Sequence, residues 1–164
     1  MKQITQYIQE KLKINSKSKV HTYNYHPKDK DELSRLLKKL IKERGKNADL
    51  NDIDTSKIDN MNGLFGTIDF WRLDIHNIDI SQWDVSNVES MECMFLGNHN
   101  LDCDLSSWDV SNVKNMTCMF SSCLKFTGKG LDKWKINPKA KLGSMFYNTY
   151  SLKDKPDWYK NKKE

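Results

Sequence analysis

Two stretches of the chain, residues 81–95 (SQWDVSNVESMECMF) and residues 106–120 (SSWDVSNVKNMTCMF), lie 25 residues apart and share WDVSNV and CMF letter for letter. A recurrence at this period restricts the fold more than any other feature, because a unit so short cannot bury an apolar face alone and must stack on its neighbours. With Trp83 as anchor, Trp108 follows after 25 residues and Trp134 after a further 26. Twelve residues beyond each Trp stands a Phe (Phe95, Phe120, Phe146), preceded in each case by Met (Met94, Met119, Met145). Met91, Met116 and Leu142 lie eight beyond the anchor, and Val85, Val110 and Ile136 two beyond. The same ruler with Ile53 in the Trp place finds Leu50, Ile58, Met61, Leu64 and Phe65. Four units result, at residues 48–65, 78–95, 103–120 and 129–146. The first interval is longer by about five residues, which sets an insertion within residues 66–77.

Within a unit, Val88, Met91, Met94 and Phe95 fall on one face of a short helix, with Ser86 and Glu89 spaced as a capping box. Ile78 and Ile80 alternate with polar residues ahead of it, as in a short strand. The expected fold is therefore α/β: a short leucine-rich-repeat-like solenoid of about four strand–turn–helix coils. Its continuous spine would be the Trp, Val, Met and Phe columns. Cys93 and Cys118 occupy equivalent places in the two best units and read as small core residues, while Cys103 and Cys123 complete the set. No two of the four form the C-x-x-C pair usual in zinc sites.

The W-D-V-S-N-V-x-x-M-x-x-M-F string resembles the roughly 26-residue repeat of bacterial surface proteins grouped as BspA-type leucine-rich-repeat proteins. The resemblance spans residues 48 to about 150, strongest over 83–95 and 108–120. It implies a solenoid that serves surface display, adhesion or protein contact.

Outside the repeats, residues 1–47 read as a basic cap and residues 151–164 as a basic tail, all within one folded unit. Residues 5–14 carry a weak amphipathic pattern, and residues 19–26 alternate as a strand would until Pro27. Residues 29–45 give the strongest helix signal. Acids open it, Lys and Arg close it, Gly45 stops it, and Leu33, Leu36, Leu37, Leu40 and Ile41 form its apolar stripe. That stripe is suited to cover the open first coil. Trp158 and Tyr159 in the tail are placed to lie on the last.

Net charge is divided along the chain. Residues 1–47 hold 13 Lys/Arg against 5 Asp/Glu, residues 48–123 hold 3 against 13, and residues 124–164 hold 11 against 4. An acidic middle between basic ends favours a protein partner with a basic surface and salt-sensitive association. A small inhibitor or adaptor fits this pattern. The candidate binding residues are Phe70, Trp71 and Arg72 in the insertion, since Trp and Arg are frequent hot-spot residues, and the repeated acids Asp79, Asp84, Asp104 and Asp109. Those acids could gather Ca²⁺, but Asp beside a turn more commonly bonds its own backbone. Nucleic-acid binding through Lys38, Lys39, Lys42, Arg44, Lys46, Lys160, Lys162 and Lys163 is the alternative. A surface or adhesion protein is a third reading if a leader has been removed.

The four histidines (His21, His26, His76, His99) are scattered, and no nucleophile elbow, H-E-x-x-H or phosphate-binding glycine loop is present. The expectation is a non-catalytic monomer without metal or cofactor. Residues 1–19 lack the apolar centre of a signal peptide, and no apolar run approaches the roughly 18 residues of a membrane span, so a cytoplasmic location without membrane contact is expected.

Overall fold

The computed structural model describes residues 22–66, 69, 73 and 75–161. The helix expected over residues 29–45 is α1, Lys30–Arg44. Asp29 caps it by accepting the Glu32 amide at 2.9 Å, and the Glu32 carboxylate reaches back to the Lys28 amide at 2.9 Å. One amide of the first turn and that of Lys28, just ahead of the cap, are thereby satisfied. Gly45, with φ 85°, ends the helix in a conformation that other residues rarely adopt. Leu33, Leu37, Leu40 and Ile41 are buried and share one apolar cluster with Leu50, Ile53 and Phe65 of the first repeat. Before α1, Tyr25 forms a single parallel bridge to Ile53. The strand expected over residues 19–26 lies partly, and the helix over residues 5–14 wholly, outside the described residues.

The four repeat units stack in register, but not as an α/β solenoid. Among the described residues there is no β-strand, and helical elements beyond α1 include a 3₁₀ turn at Leu131–Lys133 and α2 at Asp157–Lys160. Neighbouring units meet through isolated parallel bridges: Asp49 to Asp79, and the row Asn60, Ser90, Asn115 and Lys141. The strand–turn–helix coil, and the leucine-rich-repeat architecture with it, is overturned by this backbone.

The reason lies in how amides alternate. In the second unit Met94, Leu96 and Asn98 close i to i+3 turns onto the carbonyls of Met91, Cys93 and Phe95. The intervening amides of Met91, Cys93, Phe95 and Gly97 instead donate to Asn115, Thr117, Met119 and Ser121 of the next unit, at 2.8–2.9 Å. The third unit repeats the scheme: Met116, Cys118, Phe120 and Ser122 donate to Lys141, Gly143, Met145 and Tyr147. An α-helix would retain every interior amide within itself. Here half of them leave the unit. A left-handed residue every four positions keeps the chain of turns from becoming a helix: Cys93 and Gly97, Cys118 and Ser122, Ser144 and Asn148. Three- and four-residue apolar spacing is common to both geometries, so Val88, Met91, Met94 and Phe95 are all buried although no helix forms. Nor does the expected capping box form, since Ser86 bonds Asp84 and Glu89 pairs with Lys114 of the following unit.

Side chains complete the stack. Phe65, Phe95, Phe120 and Phe146 lie ring on ring, with centroids 5.3, 5.4 and 5.8 Å apart and planes within 11° of parallel. The Trp residues are buried, and each indole N–H crosses to the preceding unit: Trp83 to Leu50 O, Trp108 to Ile80 O, Trp134 to Leu105 O. Trp158 of α2 continues the series onto Leu131 O at 2.7 Å and stacks on Trp134. Three residues beyond each Phe, Asn98, Cys123 and Thr149 donate to the carbonyls of Phe65, Phe95 and Phe120. No buried side-chain N or O among the described residues lacks a partner.

Trp108→Phe keeps an aromatic ring in the column but removes the indole donor to the Ile80 carbonyl, which retains only the Trp83 amide, and leaves part of the indole's volume unfilled. Urea unfolding is expected to show a loss of roughly 1–3 kcal/mol with an unchanged m-value. Ser144→Gly relieves a left-handed residue at φ 52° and is expected to raise stability by up to about 1 kcal/mol in the same assay.

Candidate interaction surface

Each of the first three units begins and re-enters its core through an Asx turn, which fixes where its carboxylates stand. The Oδ1 atoms of Asp54, Asp79, Asp84, Asp104 and Asp109 accept the amide two residues on, at 3.0–3.1 Å. Asp, Asn and Ser favour such turns because a short polar side chain can replace a backbone acceptor. The stack then sets these residues in two columns. Asp49, Asp79 and Asp104 lie four residues before the anchor position of their units, and Asp54, Asp84 and Asp109 lie one after it.

With Oδ1 engaged in the turn, Oδ2 is the oxygen the turn leaves unused. Among the described residues, His26 Nδ1 reaches this oxygen of Asp54 at 3.2 Å and the Lys129 ammonium reaches that of Asp104 at 2.9 Å, both toward the ends of the columns. The Lys129 ammonium, with the Ser106 amide, holds the Asp104 carboxyl down at about 2. The Ser111 hydroxyl and amide, assisted by Lys135, lower Asp109, and the Ser56 hydroxyl lowers Asp54. At Asp79 partial burial and the neighbouring Asp104 charge push upward, but hydrogen bonds from Asn51 and Ser81 leave the carboxyl below its ordinary value. Asp84 and Asp109 are exposed.

Of the sequence-nominated residues, Asp79 and Asp104 thus fall in one column and Asp84 and Asp109 in the other. Phe70, Trp71 and Arg72 lie outside the described residues. Among the basic residues considered for nucleic acid, Arg44 is committed to Asp52 at 2.7 Å and to the Asp49 carbonyl, and Lys38 to Asp69. Among the described residues no group of three or more His, Cys, Asp and Glu side chains is arranged to hold a metal ion, and no helix is long and apolar enough to cross a membrane.

The cysteines divide differently from the sequence expectation. Cys103 and Cys123 are buried, and burial pushes both thiols up, Cys123 to about 12. Cys93 and Cys118 are half-buried at the left-handed corners, not in the core. The recurrence there falls at a left-handed corner, and Gly63 and Ser144 fill the same column.

A cleft of about 370 Å³ opens beside the inserted segment, lined by Ile75, Leu96, Gly97, Asn98, His99 and Ser122 among others. Nothing in the repeat frame signals it, because its lining joins Ile75 of the inserted segment to residues of two successive units. The Asn98 amide nitrogen is taken by the Phe65 and Phe95 carbonyls.

The family model described as Mycoplasma protein of unknown function, DUF285, matches residues 32–159. Comparison with curated proteins and with solved structures returns no match.

Because the carboxyls of Asp54, Asp79, Asp104 and Asp109 sit below the ordinary value near 3.9, their contribution to stability is present above about pH 4 and is lost as pH falls toward 2. Urea midpoints between pH 6 and pH 2 are expected to drop over that lower interval. Asp104→Asn should flatten part of the drop.

Proposed function

The chain belongs to the DUF285 family, and we propose that it is a non-catalytic protein-binding scaffold whose acidic columns engage a basic protein surface. The observation that supports this is the geometry of the Asx turns. They hold Asp79, Asp84, Asp104 and Asp109 at the spacing of the stack and leave one oxygen of each outside the turn itself. Carboxylates fixed before binding lose little conformational freedom when a partner arrives. Complementary charge steers such an encounter and makes it sensitive to salt. Kinship with the repeat of BspA-type bacterial surface proteins is part of the reading and rests on the WDVSNV strings. Nucleic-acid binding is less well supported, since Arg44 and Lys38 are engaged within the chain.

The full chain, immobilised, should retain basic proteins from the producing cells and release them as salt rises toward 0.5 M, on the order of a 4 Å screening length. Asp84→Asn/Asp109→Asn should reduce retention at least tenfold with little change in thermal stability. Equal retention by that variant would remove the acidic columns from the mechanism.

A further inference from the structure

The inter-unit ladder stops at the last unit with its donors unspent. The amides of Met116, Cys118, Phe120 and Ser122 find carbonyls in the unit that follows them. Their equivalents, Leu142, Ser144, Phe146 and Asn148, have no acceptor among the described residues. Two of these, Ser144 and Asn148, repeat the left-handed corners of the inner units, so the backbone is already shaped for a further layer. The apolar columns tell the same story. Met116 and Phe120 are wholly buried, whereas Leu142 and Phe146 keep 9% and 5% of their surface exposed, although α2 lays Trp158 and Tyr159 nearby. Tyr147 and Tyr150, at 63% and 74%, are the exposed large apolar side chains among the described residues, and both belong to this end.

The geometry points to this edge as a second interaction surface, which takes an acidic segment of another protein as an added layer. Three features select that occupant. A row of N–H donors two residues apart needs a row of carbonyls at the same spacing, which only a polypeptide backbone offers. A second copy of this chain does not supply it. Its own donor edge would bring N–H against N–H, and its opposite edge is taken up by α1, with Lys30 Nζ donating to the Asn62 carbonyl. Charge supplies the third feature. Lys139, Lys141, Lys153, Lys155 and Lys160 are exposed around the edge, against Asp154 and Asp157, of which Asp157 already pairs with Lys160. The surface is opposite in sign to the acidic columns and independent of them.

A peptide of residues 80–101 is a suitable probe. It carries Asp84, Glu89 and Glu92, and in the fold its Ser90, Glu92 and Met94 carbonyls already accept the equivalent amides of the first unit. Amide hydrogen exchange on the full chain reads the result residue by residue. In the free chain, Leu142, Ser144, Phe146 and Asn148 should exchange rapidly while Met116, Cys118, Phe120 and Ser122 are protected. Saturating peptide should slow the first four at least tenfold and leave the second four unchanged. Lys139→Glu/Lys141→Glu, both at exposed positions, should weaken the peptide at least tenfold at unchanged melting temperature. Asp84→Asn/Asp109→Asn in the chain should leave it bound, which separates this surface from the acidic one. Slow exchange of the four amides in the free chain, failure of the peptide to bind, or binding without protection there would each overturn the proposal. Full affinity in the double-lysine variant would overturn the acidic identity of the occupant.

Discussion

A polypeptide coiled through consecutive turns cannot satisfy its own amides. Alternate N–H groups close i to i+3 turns, and the rest point along the stacking axis with nothing to meet unless another coil lies there. Burying them unpaired would cost about as much as each lost hydrogen bond. The neighbouring coil is therefore a requirement of the local backbone, and the 25-residue recurrence is its consequence in sequence. The same axial direction is used by the indole N–H groups of Trp83, Trp108 and Trp134 and by Asn98, Cys123 and Thr149. Polar and apolar columns thus enforce one register between them, since a slip by one residue would break every such bond and take Phe off Phe.

The two ends of the stack are closed unequally. At the start, α1 lays four buried aliphatic side chains against the first unit, and Arg44 and Lys30 bond to its carbonyl groups. At the finish, α2 is four residues long, and its Trp158 and Tyr159 cover the Trp and Phe columns but not the row of amides. Repeat stacks need terminal units that differ from the inner ones to end against water. Here the difference is hydrophobic closure at both ends and backbone closure at one.

The acidic columns have a structural duty before any other. Each carboxylate stands in for a backbone acceptor at a turn, which is why the residue type recurs regardless of partner. Membership of a family of unknown function leaves the oxygens outside the turns as the chemical feature to explain. Fixed negative charge on a stack with apolar columns inside is the feature on which the proposed recognition rests, with His26 at Asp54 and Lys129 at Asp104 toward its ends.

Much of this was legible in the residues. The repeat frame, the buried Trp and Phe columns, the helix from its capping Asp29 to Gly45, and the Asx role of the acids all follow from spacing and side-chain chemistry, which are local. The insertion was legible as a change of interval, with Phe70, Trp71 and Arg72 beyond the described residues. What sequence spacing could not separate is a chain of turns from a strand and a short helix. Both put Val88, Met91, Met94 and Phe95 inside, and they differ only in whether an amide bonds within its own coil or to the next. That choice belongs to the tertiary structure, because the acceptor lies some 24 residues away in the chain, as Thr117 O does for the Cys93 amide. It also decided that Cys93 and Cys118 stand at left-handed corners, that Trp158 extends the Trp column, and that the row from Leu142 to Asn148 ends unpaired. Periodicity determined that the units stack; only the stacking determined what each unit is.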